Sequence, residues 1–407
     1  MPRKKPIPVA YQPKIRYQPS FVTDNPIWAE IIQTCTIDPD LCDDLHFRWH
    51  HALTLNKTWN CVIGERESGK TVASWLLIWN AFLHGRPSLV LRRRIADITC
   101  AYIDDAAKAI NKFLRRPIQF VYLKGDVGTG IADVRVGFAD QTYTPLTAKK
   151  LPLLFRIIGL SVPMSRIKSN MINDVAYIFF DEFICNLRGG EKYLAGDELF
   201  LIQEIFTTYN REASRAIRII MAGNPYSVYN PIFMGLGVNT ALLKPGAYIV
   251  GPHYSIDCFQ VPPQLKEQIL RNNPMYQFDD SYKRYAFNGE AINDTNIRIH
   301  KTEPAGFKLK YVFKMGRDYL SLHQGIGTDQ KEEYRYWACK HDAAWIQHIG
   351  KRRNVVVFNF QDMVEHTVKF DVTWYQQLEG VRDAINKRRV TYNCIDASYM
   401  LEDVYNA

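Results

Sequence analysis

The chain has 407 residues, 47% of them hydrophobic and 23% charged, with 51 Lys and Arg against 42 Asp and Glu. That balance excludes wholesale disorder and a collagen-like chain, and the length predicts two or three domains. The net charge of +9 is clustered at Arg92 to Arg94, Arg115 and Arg116, Lys149 and Lys150, Lys351 to Arg353 and Lys387 to Arg389, which favours a polyanionic partner.

Residues 1–20 carry Pro2, Pro6, Pro8, Pro13 and Pro19 among basic residues, a composition that resists helix and strand and predicts a loosely ordered arm. No apolar segment follows that basic start. The most apolar stretch, Leu151 to Met164, is short and contains Arg156, so neither a secretion signal nor a membrane partner is expected. The eight cysteines form no C-x-x-C pair, which predicts reduced thiols in a cytosolic setting.

The spacing predicts a strand over Thr58 to Ile63 running into a glycine loop, a helix over Thr71 to Leu83, a buried strand over Ser88 to Leu91 and a helix over Ile95 to Leu114. Phe120 to Gly159 alternates apolar and polar residues around glycines, as a hairpin-rich insertion would. Val175 to Phe180 and Ile217 to Ala222 are short apolar runs, the pattern of strands covered on both faces. Together these predict an α/β P-loop domain with a mainly parallel sheet over 21–238. Glycines and prolines then interrupt the chain, which predicts a linker subdomain over 239–294. From about Lys308 four strands return as a meander, followed by the helical stretch Val372 to Lys387, giving a second α/β domain over 295–407.

Gly64-Glu65-Arg66-Glu67-Ser68-Gly69-Lys70-Thr71 matches G-x-x-x-x-G-K-[ST], with a strand before it and a helix after it. The glycines let backbone N–H groups curl around a β-phosphate, and the following helix adds its positive end. Lys70 then reaches the β- and γ-phosphates, and the Thr71 hydroxyl ligates Mg²⁺. The apolar strand Tyr177-Ile178-Phe179-Phe180 ends in Asp181-Glu182. Asp181 can hold Mg²⁺, and Glu182 can polarise the attacking water as general base, which points to ATP hydrolysis with the water activated in cis. Asn224, after the next buried strand, can report the γ-phosphate or simply cap the turn before Pro225. His50 and His51, like Cys339 and His341, lack the four ligands of a zinc site and are expected to be structural.

In order, Cys61 to Thr71, Leu91-Arg92-Arg93, Ser165-x-x-Lys168-Ser169-Asn170, Ile178 to Ile184 and Asn224-Pro225-Tyr226-Ser227-Val228-Tyr229-Asn230-Pro231 resemble the DNA-packaging ATPases of small protein-primed tailed phages, relatives of the terminase large subunit. The likeness is strong over roughly 58–235 and weaker afterwards. It implies the ASCE branch of P-loop ATPases and a homomeric ring, five-membered on that family's pattern. It implies docking on the portal (connector) of a procapsid in the host cytoplasm, with double-stranded DNA driven inward and a packaging RNA as a further partner. It assigns Arg66 to the family's basic position within the glycine loop. It assigns Lys168 and Arg211, with Arg215 as competitor, to cations reaching a neighbour's nucleotide. Arg188 and Lys192, in the loop after Asp-Glu, would face DNA phosphates in the pore. The second domain resembles the RNase H-like nuclease of terminases by position. Its first strand, Tyr311 to Met315, offers no Asp for a two-metal site, Asp318 falls in the turn, and Asp342, Glu365 and Asp396 are scattered, so the fold is expected as a vestige without nuclease chemistry. Two other functions remain open: a terminase-like nuclease with an attached ATPase, and a P-loop regulatory switch that does not translocate.

Overall fold

Single apolar strands that feed two different cores set the architecture. The computed structural model describes residues 25–186, 191–194, 198–211, 216–226, 230–239, 242–273, 301–326, 334–342, 344–345, 356–359, 378–381, 383–385, 389–394, 397–398, 400–401 and 404. In chain order the elements begin with α1 (Pro26–Thr34), α2 (His50–Thr54), β1 (Trp59–Gly64), α3 (Lys70–Leu83), β2 (Ser88–Arg92), α4 (Cys100–Asn111) and β3 (Ile118–Val121). They continue with α5 (Lys124–Thr129), β4 (Ile131–Phe138), α6 (Pro145–Ala148), β5 (Leu153–Gly159), α7 (Met164–Ser169), β6 (Tyr177–Asp181), α8 (Glu198–Asn210) and β7 (Arg218–Gly223). Then come α9 (Pro231–Gly235), β8 (Tyr248–Val250), β9 (Tyr254–Phe259), α10 (Pro263–Asn272), β10 (Lys308–Met315), β11 (Asp318–Ile326), β12 (Tyr334–His341), β13 (Val356–Asn359) and β14 (Val390–Tyr392).

The first sheet has nine strands in the order β3-β4-β5-β2-β6-β7-β1-β9-β8. The six strands from β5 to β9 pair parallel, and antiparallel strands close both edges. Side chains alternate between two cores with the strand period of two. Val62, Val90, Phe179 and Ile220 face one core with α1, α3 and α4. Cys61, Ile63, Leu89, Leu91, Ile178, Phe180, Ile219 and Met221 face the other, which α8 and α9 cover. A strand buried on both faces needs apolar residues at every position, which explains why these runs do not alternate in polarity. Trp75 of α3 locks the first core, edge-on to Phe179 at 5.4 Å and tilted against Phe155 at 5.4 Å.

Two boundaries differ from the sequence expectation, at 95–114 and at 239. The segment 95–114 is not one helix, because the Asp97 carboxylate accepts from Arg94 N at 2.8 Å and the Thr99 hydroxyl caps a new start at Tyr102 N, 3.1 Å away. The hairpin-rich segment expected over 120–159 forms the antiparallel strands β3, β4 and β5, which extend the main sheet to β2. The linker does not begin at 239: β9 pairs parallel with β1 from Trp59↔Tyr254 to Gly64↔Phe259. The Gly251-Pro252-His253 punctuation is the turn of the β8–β9 hairpin.

The second sheet has the order β13-β10-β11-β12-β14, an antiparallel meander over β10, β11 and β12 with a parallel strand on each side. Leu378, Val381, Ala384, Met400 and Leu401 pack against Tyr311, Phe313, Leu320, Leu322 and Tyr336. Cys185 and Tyr193, from the segment after β6, are buried in this same core and so join it to the first sheet. All eight cysteines are free thiols. Among the described residues no helix is long and apolar enough to cross a membrane.

Candidate active site

The carboxyl ends of β1, β2, β6 and β7 lie side by side, the place where open parallel sheets bind ligands. β1 leads into the glycine loop. Gly69 has φ of 84°, a left-handed conformation that favours glycine, and a Cβ there would meet His46 Cβ at 2.9 Å. At Gly64 a Cβ would stand 2.4 Å from the Phe259 carbonyl oxygen, so the loop starts in backbone contact with the end of β9. No side chain caps α3, and its first-turn N–H groups are therefore available to an anion.

Lys70 is buried and curls over its own loop. Its Nζ donates to Gly64 O at 2.8 Å, Glu65 O at 2.6 Å and Ser68 Oγ at 2.9 Å, while Ser68 Oγ donates to Glu65 O at 2.7 Å. Burial pulls the ammonium down to about 7, against the upward pull of Asp181 and Glu65. A buried cation whose hydrogen bonds all go to neutral oxygens is matched to an incoming polyanion.

Thr71 Oγ1 donates to Asp181 Oδ1 at 3.2 Å, and Tyr102 Oη donates to Asp181 Oδ2 at 3.4 Å. Burial, then the neighbouring Glu182, push Asp181 up to about 6. A hydroxyl beside a buried carboxylate is a hard-oxygen donor pair that fits Mg²⁺. Glu182 sits at φ of 56°, a conformation costing a non-glycine residue of the order of 1–3 kcal/mol. Its Oε2 accepts from Arg92 at 3.1 Å, and Arg92 also lies 4.0 Å from Asp181. Buried Arg93 donates to the carbonyls of Glu182 at 3.2 Å and Phe183 at 2.8 Å and to Glu198 Oε1 at 2.8 Å. Arg93 therefore fixes the strained backbone, and Arg92 fixes the side chain.

β7 lies between β1 and β6, so Asn224 at its end stands between the glycine loop and the acidic pair. Its carbonyl accepts from Tyr226 N at 2.8 Å, and Tyr226 Oη accepts from Arg66 at 2.8 Å, which ties the loop to this turn. The other predicted residues stand apart. Lys168 pairs with Glu204 at 2.8 Å, and Arg211 is exposed just past α8. Lys192 is exposed, and its carbonyl accepts from Arg94 at 3.1 Å. Arg188 and Arg215 lie outside the described residues.

In the sequence Arg92 and Arg93 belong to a basic cluster that favours a polyanionic partner. Their pairing with Glu182, Asp181 and Glu198 instead commits them to the site. The contact follows from β2 pairing with β6, a lateral order that no local signal carries. Tyr102, in the first turn of α4, carries no such signal either.

No family model and no curated protein matches the chain. Among solved structures, the chain is similar to the Phi-28 gp11 DNA packaging motor, at TM-score 0.51 and 17% identity over 90% of this chain and 98% of that one. It is also similar to the bacteriophage Phi-29 viral genome packaging motor assembly, at TM-score 0.47 and 16% identity over 89% and 99% of the two chains. The N-terminal domain of the DNA packaging ATPase from bacteriophage phi29 follows at TM-score 0.40 and 24% identity over 55% and 98%. The first likeness spans nearly the full length of both chains and shows a shared mixed α/β fold.

Proposed function

We propose that this chain is an ATP-hydrolysing motor that drives double-stranded DNA into a viral procapsid. The observation that carries the proposal is the convergence of Lys70, Thr71, Asp181 and Glu182 at the ends of β1 and β6, in a fold shared with a DNA packaging motor. The loop N–H groups and Lys70 would hold the β- and γ-phosphates of ATP, with Arg66 and Asn224 closing over them. Mg²⁺, held by Thr71 and Asp181, would neutralise phosphate charge when bound. Glu182 would orient the attacking water and take its proton. The working form would be a homomeric ring, a pentamer on the family's pattern, seated on the portal in the host cytoplasm, with a packaging RNA as a further partner. Steady-state ATP turnover with and without duplex DNA, across a salt series, tests this: turnover indifferent to nucleic acid would reduce the chain to a P-loop switch.

The second domain would be a nuclease fold without nuclease chemistry. Supporting this, β10 carries no carboxylate, and Asp318 is buried in an ion pair with Lys340 at 3.3 Å, so an ammonium already neutralises it. Metal-dependent cleavage of plasmid DNA that is lost on Asp318→Asn would refute this.

Two expected results follow from the site. Lys70 is held near 7 without phosphates, and a triphosphate stabilises its charged form. At pH 8 ATP binding should therefore take up protons, approaching one per site, and at pH 6, where Lys70 is already charged, this contribution should vanish. Calorimetry in buffers of different ionisation enthalpy measures it; equal uptake at both pH values would contradict the assignment. The second concerns DNA. Binding falls with salt at a slope of about −0.9 per phosphate neutralised on duplex DNA. Replacing Arg188 and Lys192 with Ala should lower that slope by roughly one to two and remove DNA stimulation while leaving DNA-free hydrolysis intact. An unchanged slope would move the grip to the clusters at 351–353 and 387–389.

A further inference from the structure

The glycine loop contains a carboxylate that phosphate binding does not call for. Glu65 lies between Gly64 and Lys70, and its side chain is 2% exposed. A negative charge sealed beside a phosphate site opposes the ligand through a medium that screens it poorly. Two groups from beyond β9 meet it. Val261 N donates to Glu65 Oε2 at 2.9 Å, and Lys266 Nζ, on α10, lies 2.9 Å from Oε1. At the other end of α10, Asn273 Nδ2 donates to Glu67 Oε1 at 3.4 Å. Val261, Leu265 and Ile269 seat the helix against Leu45, Tyr226 and Phe259. Both ends of α10 are thus tied to the loop, and the Phe259 carbonyl leaves no room for a side chain at Gly64.

We propose that Lys266 is a positioning residue for the nucleotide: its ammonium neutralises Glu65, and this ion pair splints the glycine loop to α10 in a form able to take a triphosphate. The inference rests on the ATP reading above. Lys266 does not touch the phosphates; it acts through the Glu65 charge. Loss of the cation leaves the buried carboxylate to draw on the Lys70 charge that the phosphates need, and removing that carboxylate's charge as well repairs the defect.

The test measures binding of a fluorescent ATP analogue to the full chain. The proposal expects Lys266→Met to weaken binding at least about tenfold, the cost of an uncompensated charge several ångströms from the phosphates at protein dielectric. Glu65→Gln in the same background should return affinity to within about threefold of wild type, because the amide oxygen still accepts from Val261 N. Lys266→Arg, which keeps the charge, should also bind within about threefold. A purely structural role for Lys266 predicts no rescue by Glu65→Gln. If Lys266→Met does not fold, the double variant and Lys266→Arg carry the test, and either one folded yet tenfold weak overturns the proposal. Unaltered affinity in a folded Lys266→Met overturns it too. A wild-type chain that binds no ATP analogue refutes the ATP reading itself, an outcome distinct from the others.

Discussion

Glu182→Gln is expected to bind ATP like the wild type and to hydrolyse it at least about a hundredfold more slowly, since general-base catalysis typically contributes that much. The amide keeps the size of the side chain and can still accept from Arg92, now 3.1 Å from the carboxylate. It cannot take the proton of water. The backbone should hold as well, because Arg93 binds the carbonyls of residues 182 and 183 independently of the side chain. Binding of a fluorescent ATP analogue and single-turnover phosphate release separate the two effects. Normal turnover would remove Glu182 from the chemistry. Loss of binding would instead mean that Arg92, freed of its counter-charge, had disturbed the Asp181 side of the site.

How much of this was legible beforehand divides along a physical line. The glycine loop and the acidic strand end could be read because their chemistry is local: backbone curvature at Gly64 and Gly69, and apolar strands whose burial on both faces fixes their composition. Contacts made by the sheet's lateral order could not. Arg92 and Arg93 meet Asp181, Glu182 and Glu198 only because β2 pairs with β6. Glu65 meets Val261 and Lys266 only because β9 returns to pair with β1. Texture also misled at 239, where Gly251 and Pro252 punctuate a hairpin of the main sheet and not a linker. The break at Thr99 was legible in principle, since Thr is a favoured N-cap, but the apolar periodicity on either side outweighed it.

Arg211→Ala is expected to lower ATP turnover about a thousandfold in assembled rings, the scale on which an arginine supplied across an interface acts. Lys168 is the second cation assigned to the neighbour's nucleotide. Its pair with Glu204 at 2.8 Å does not remove it from contention, because both side chains are partly exposed, at 48% and 35%, and such a pair is worth no more than about 1 kcal/mol. Geometry separates the two more sharply. Arg211 is exposed just past α8 and has no ion-pair or hydrogen-bond partner among the described residues, and its planar fork suits phosphate oxygens bidentately where Lys168 offers a point charge. Mixed rings decide whether the group acts in trans. Arg211→Ala subunits keep Lys70, and Lys70→Ala subunits keep Arg211, so each variant alone should be inactive. Where the first meets the second in the right order, one complete site forms. Recovered turnover in the mixture, absent from either variant alone, is the expected result. Assembly without recovery would place Arg211 outside the neighbouring site and return the role to Lys168 or Arg215.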